Sequence, residues 1–196
     1  MIAALLISAA LAGEFCDELR RKPKSYREAL GPVVALGASV SAGHGGVKGP
    51  ARRLAEVLAV PYISHAVSGA SSGASLSRWK QSDESCGTVV GIDLFFWDSV
   101  KGCASNSIKE LWQQVSKHKC NRAIFSHVPR LVSLQKPNCI KRINEALDAG
   151  TSADVLAVME ELRNSALRAS YFQSDRIHLT ERGAEAATEK LCEILL

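Results

Sequence analysis

The sequence has no C-x-x-C pair, no basic stripe interleaved with aromatics, no internal repeat and no low-complexity linker. Each absence closes off a class. Without closely paired cysteines, zinc-ribbon and thioredoxin-type readings lose their support. The basic residues fall in short runs, Arg20-Arg21-Lys22, Arg52-Arg53 and Lys117 to Lys119, that read as solvated faces. A formal charge of +4 and a pI near 8.8 therefore do not make a nucleic-acid binder. Met1 to Ala12, MIAALLISAALA, is apolar and helix-prone. It is too short to cross a bilayer, which takes about 20 residues.

What remains is ordinary globular material. With 196 residues, 46% apolar and 22% charged, and a mean hydropathy near zero, the chain suits one soluble domain with a full core over residues 13–196. Residues 1–12 read as a signal peptide, with Ala10-Leu11-Ala12 before Gly13 as a small-residue cleavage site. This segment carries no Lys or Arg, which leaves two alternatives, a true start further upstream or a buried N-terminal helix. A lipoprotein is disfavoured because Cys16 does not directly follow the small residues. Six cysteines, Cys16, Cys86, Cys103, Cys120, Cys139 and Cys192, would form disulfides in an exported chain, periplasmic or extracellular. Of the fifteen possible pairings, Cys86–Cys103 and Cys120–Cys139 would close modest loops, and Cys16–Cys192 would tie the termini. In a reducing compartment the six would be buried thiols.

Short apolar runs alternate with helical patterns, which suggests βα units and a parallel sheet. Strands are expected near 32–36, 62–66, 88–92 and 122–128. Helices are expected near 50–58, with Pro50 in the first turn, and over 105–117 and 137–147. Val155 to Met159 reads as a fifth strand or as the start of a helix running to Leu167. Thr180 is placed to cap a last helix through Leu195. Ligand sites in such sheets lie beyond the carboxyl ends of the strands, so the chemistry is sought there.

Beyond the first strand stands Gly37-Ala38-Ser39-Val40-Ser41-Ala42-Gly43. Small neighbours allow a sharp turn and leave the Ser39 hydroxyl accessible, but a serine is a weak nucleophile until a base takes its proton. Just before the last helix stands Ser174-Asp175-Arg176-Ile177-His178-Leu179-Thr180. An Asp and a His three apart in a short loop can set the carboxylate on one imidazole nitrogen and leave the other to accept a proton. Seen alone, that pair also reads as a capping Asp and a surface His. Ser71, Ser72 and Ser75 rival Ser39 on composition only.

Taken together and in this order, the two blocks resemble the SGNH/GDSL hydrolase family. G-A-S-V-S-A-G stands where that family has G-D-S-x-x-x-G, and D-R-I-H-L-T-E-R-G where it has D-x-x-H. Val67-Ser68-Gly69-Ala70-Ser71 resembles a third block, after the second strand, whose glycine N–H helps hold an oxyanion. The resemblance spans roughly residues 32–190. It implies an α/β fold, a three-layer α/β/α sandwich, flavodoxin-like, on a mostly parallel five-stranded sheet. It further implies ester or thioester hydrolysis through an acyl-enzyme on Ser39, with His178 as base, Asp175 as its orienter, and the N–H groups of Ser39 and Gly69 as oxyanion donors. No metal or organic cofactor is implied. The expected partner is a small-molecule, lipidic or glycan acyl ester, and the expected state a monomer.

Two departures from the family pattern matter. Ala38 replaces the Asp of the G-D-S block. Where the family has G-x-N-D, with an Asn that donates to the oxyanion, this chain has Gly91-Ile92-Asp93-Leu94. An ionised Asp93 cannot donate and would repel an oxyanion, and losing one such donor can cost about 10²–10³ in rate. Asp93 is therefore expected to be structural, bonding backbone near the Ser39 loop. Asn106, the nearest Asn downstream, has nothing to place it in the site. Phe95 and Phe96 read equally as an acyl-binding wall or as an aromatic plug under a loop. His44 and His65, near the expected site edge, and His127, at the end of the fourth strand, read as surface or satisfied histidines, and His118 as solvated. Two other readings use the same residues: an O-acyltransferase or deacetylase acting on envelope glycans, and a binding protein that kept the fold but lost a good oxyanion hole.

Overall fold

The structure is a computed structural model that describes residues 13–82, 85–103, 107–150 and 154–196. The proposed signal segment 1–12 and Asn106 lie outside the described residues. In chain order the elements are α1 (Glu14–Arg21), α2 (Lys24–Ala29), β1 (Val33–Ala35), α3 (Ser39–Ala42), α4 (Pro50–Leu58) and β2 (Tyr62–Ser64). Then come α5 (Ser72–Lys80), β3 (Thr88–Gly91), α6 (Phe96–Lys101), α7 (Ser107–Lys117), β4 (Arg122–Ser126) and α8 (Pro137–Asp148). The chain closes with β5 (Asp154–Leu156), α9 (Val158–Asn164), α10 (Arg168–Tyr171) and α11 (Glu181–Ile194).

The five strands form one sheet in the order β2-β1-β3-β4-β5, parallel at every pairing. That is the flavodoxin-like order, with its topological switch between β1 and β3. Side-chain alternation builds two cores. Val33 and Ala35 of β1, Val90 of β3 and Ile124 of β4 face Leu19, Leu54, Leu58, Met159 and Leu191. Val34, Leu36, Val89, Ala123 and Phe125 face Leu76, Trp79, Leu111, Ile143 and Leu147. Helices α1, α4, α9 and α11 thus cover one face, and α5, α7 and α8 the other. Covering both faces is why β1 and β3 are buried along their whole length and read as continuous apolar runs.

The expected strands are all present but shorter, because pairing stops where the chain turns into the carboxyl-edge loops. The segment expected as strand or helix is both: β5 ends at Leu156 and α9 begins at Val158. Thr180 caps α11, its Oγ1 accepting from Gly183 N at 3.1 Å. Helices α1, α2, α3, α5, α6 and α10 are additions to the sequence reading.

Cys16–Cys192 is present and ties α1 to α11. The other two pairings differ from the expectation: they are Cys86–Cys120 and Cys103–Cys139. Loop length was the wrong guide, because a parallel sheet sets residues one βα unit apart side by side. Cys86 and Cys120 lie just ahead of Thr88 and Arg122, which pair directly between β3 and β4. Cys103 follows α6, and Cys139 lies on α8, which packs against α6.

Candidate active site

The site lies at the carboxyl edge of the sheet, around the switch between β1 and β3. After β1 the chain turns sharply at Gly37, with φ 137°. A Cβ at this position would stand 2.4 Å from Asp93 Oδ1 and 2.5 Å from Ser41 Oγ, so only glycine fits. The turn is held from three sides. Gly37 N–H donates to Ser75 Oγ at 3.1 Å, and Ser75 Oγ in turn donates to His65 O. Gly37 O accepts from Val67 N at 3.1 Å, which draws the Ser68-Gly69 turn up beside the Ser39 turn. Ser39 then opens α3 and is 5% exposed.

The third brace is Asp93, just past β3 and 8% exposed. Its Oδ1 accepts from Ala38 N (3.0 Å), Ser41 N (3.2 Å) and Ser41 Oγ (2.6 Å). Its Oδ2 accepts from Val40 N at 2.7 Å. Four donors from the segment around Ser39 thus end on one carboxylate. The N–H groups of Ser39 and Gly69 are left out: among the described residues neither donates to a protein acceptor. Gly69 is exposed, with φ 75°.

The loop before α11 carries the partners. It is anchored by a bridge between Phe172 and Leu179 and by Gln173 N to His178 O at 2.8 Å. Asp175 Oδ1 accepts from Ile177 N at 2.9 Å and His178 N at 3.0 Å, while Arg176, between Asp175 and Ile177, takes the left-handed φ of 61°. Asp175 Oδ2 meets His178 Nδ1 at 2.5 Å, and His178 Nε2 meets Ser39 Oγ at 2.8 Å. Burial pushes the Asp175 carboxyl up, but hydrogen bonds from the His178 ring and from the Ile177 and His178 backbone outweigh it and hold the pKa at about 2. An ionised Asp175 accepts only, so Nδ1 carries the ring proton and the Nε2 lone pair faces Ser39 Oγ.

Ser39, Asp175 and His178 therefore meet in one chain of contacts, with Gly69 on the neighbouring turn and Asp93 beneath. Phe95 and Phe96 lie inward, 1% and 6% exposed, with Phe95 packed among Leu36, Leu94 and Phe125. Ser72 and Ser75 are fully buried. His127 Nε2 pairs with Asp148 Oδ1 at 2.7 Å, away from Ser39. His118 stacks on buried Trp79 rather than standing in solvent between its lysines. Ser75 as a brace was not legible, since nothing in its spacing marks it. His44 stacks on His178, and its one sequence signal is the glycine-rich turn it sits in. A hollow of about 510 Å³ is lined by Arg168, Phe172, Gln173, Ser174 and Arg176 among others. Among the described residues, no three His, Cys, Asp or Glu side chains converge as metal ligands.

The architecture is the fold of the SGNH hydrolases. No protein-family profile and no curated protein sequence matches the chain, but solved structures do. One is a lipase/acylhydrolase from Enterococcus faecalis, with a TM-score of 0.63 and 16% identity over 84% of this chain and 95% of that one. Another is a member of the lipolytic G-D-S-L family from Veillonella parvula, with a TM-score of 0.64 and 14% identity over 83% and 97%. A third is TesA, with a TM-score of 0.59 and 19% identity over 84% and 99%. At these identities the likeness is one of fold, and function has to be argued from the site.

Proposed function

We propose that this chain is a serine hydrolase that cleaves carboxylic esters or thioesters through an acyl-enzyme on Ser39. The observation that carries the reading is the unbroken run from Asp175 through His178 to Ser39 Oγ, with contacts of 2.5 and 2.8 Å. His178 Nε2 takes the Ser39 proton as Oγ attacks the acyl carbon. The carbonyl electrons move onto oxygen, and the N–H groups of Ser39 and Gly69 hold the resulting oxyanion. The tetrahedral adduct collapses, and His178 hands its proton to the leaving alcohol or thiol. A water, deprotonated by His178, then attacks the acyl-enzyme, and its collapse frees the acid and restores Ser39. Asp175 stays ionised throughout, fixing the tautomer and stabilising the imidazolium.

Three disulfides support export, since such bonds persist in oxidising compartments. Among the described residues no helix is long and apolar enough to cross a membrane. A secreted or periplasmic enzyme, folded as one domain from residue 13 and acting as a monomer, is the form proposed. The test is covalent. An activated serine reacts with a fluorophosphonate, so the folded protein takes the probe on Ser39 and Ser39→Ala takes none; folded wild type that stays unlabelled overturns the reading.

A further inference from the structure

His44 has no part in the reaction just described, yet its ring lies on that of His178, with centroids 3.7 Å apart and planes 14° from parallel. The backbone explains why. His44-Gly45-Gly46-Val47 is a tight turn, closed by Val47 N to His44 O at 3.1 Å and by an antiparallel bridge between its end residues. Its central residues have φ of 61° and 84°, the positive pair of a type I′ turn, which glycine adopts most readily. Gly43 enters with φ 90°, and a Cβ there would stand 2.6 Å from Val47 O. The glycines set the shape of the turn, and that shape carries the ring over His178. The turn sits tightly on the nucleophile. The space enclosed among Ser39, His44, Val47, Leu179 and their neighbours is about 10 Å³, room for one water at most.

Asp175 and Ser39 hold the two ring nitrogens of His178. Such bonds fix the ring within its own plane and weaken only slowly as it tilts out of that plane. A flat ring at van der Waals distance opposes the tilt. An aromatic face also attracts a cation, here the imidazolium that forms when Ser39 loses its proton. We propose that His44 is a positioning residue for His178, a flat lid that holds the imidazole plane and stabilises its cationic form. This rests on the hydrolase reading above. His44 acts through His178, so losing its ring lowers kcat and leaves KM where it was.

The test compares wild type, His44→Phe and His44→Leu by kcat and KM on an activated ester and by the rate of fluorophosphonate labelling. His44→Phe keeps a stacking face and stays within about twofold of wild type, whereas His44→Leu, of similar bulk but without a ring, falls about three- to tenfold in kcat and labelling rate. KM and melting temperature do not move. A His44→Leu variant as fast as wild type, or a His44→Phe variant as slow as His44→Leu, overturns the proposal. Should His44→Leu fold poorly, the wild-type protein decides by NMR. Stacking shifts the His178 ring protons upfield, and unshifted resonances overturn it. Wild type that takes no probe sinks the hydrolase reading itself, an outcome distinct from equal labelling by all three proteins.

Discussion

Replacing Asp93 is the most informative perturbation of the Ser39 turn. The carboxylate accepts four hydrogen bonds from Ala38, Val40 and Ser41 and is almost wholly buried. Asp93→Ala leaves four donors without an acceptor. Each buried donor left unpaired costs about 1–3 kcal/mol, less where water enters the gap, so a net loss of about 3–5 kcal/mol is expected. At about 2–4 °C per kcal/mol for a chain of this size, melting falls by roughly 6–20 °C. Asp93→Asn is the sharper variant. Its remaining oxygen can serve the three donors at the Oδ1 position, but its amide then points an N–H at Val40 N–H. The expected cost is about 1–3 kcal/mol, with a matching fall in kcat as the turn loosens. The measurements are thermal unfolding and ester turnover on the same preparations. If position 93 instead merely lacked an oxyanion donor, Asp93→Asn would supply one at no cost in stability. A faster Asn variant that melts no lower than wild type would therefore refute the bracing role.

Two further outcomes follow from the geometry. The Asp175 pKa is lowered from 3.8 to about 2, so its ionised form adds stability that is fully present above about pH 4 and is lost as pH falls through about 2. Acid unfolding of Asp175→Asn should accordingly show a shallower loss of stability in that window than wild type, and parallel curves would contradict the assignment. Cys16–Cys192 spans 176 positions and pins α1 to α11. The double change Cys16→Ser with Cys192→Ser should destabilise by about 2–5 kcal/mol in denaturant titration, and an unchanged midpoint would show that α1 docks without it.

The parts of the fold legible in the sequence are those with a local signature. The buried runs at 32–36 and 88–92 announce a covered parallel sheet, and Thr180 announces the last helix. Ser39, Asp175 and His178 stood out only together, because two short blocks, each weak alone, stand in the order that resembles the SGNH/GDSL pattern. The disulfide pairing was not legible. Cys86 and Cys120 meet through the register of β3 and β4, a relation between distant segments that loop length does not encode. The full bracing by Asp93 depends on the same relation, since β1 and β3 must be neighbours for one carboxylate to gather the turn beyond the other strand. Phe95 and Phe96 could be called wall or plug only after burial was known. His44 was masked by the base rate for surface histidines, although the turn that carries it, G-H-G-G, has a shape that its glycines prescribe.

The central claim is that His178, oriented by Asp175, activates Ser39. Its most direct test is fluorophosphonate labelling of the folded protein, with the adduct mapped by mass spectrometry and the rate compared across wild type, Ser39→Ala and His178→Ala. The account predicts one adduct, on Ser39, absent in Ser39→Ala and formed orders of magnitude more slowly in His178→Ala. A folded wild-type protein that takes no probe, or one labelled at Ser39 equally fast without His178, would contradict it.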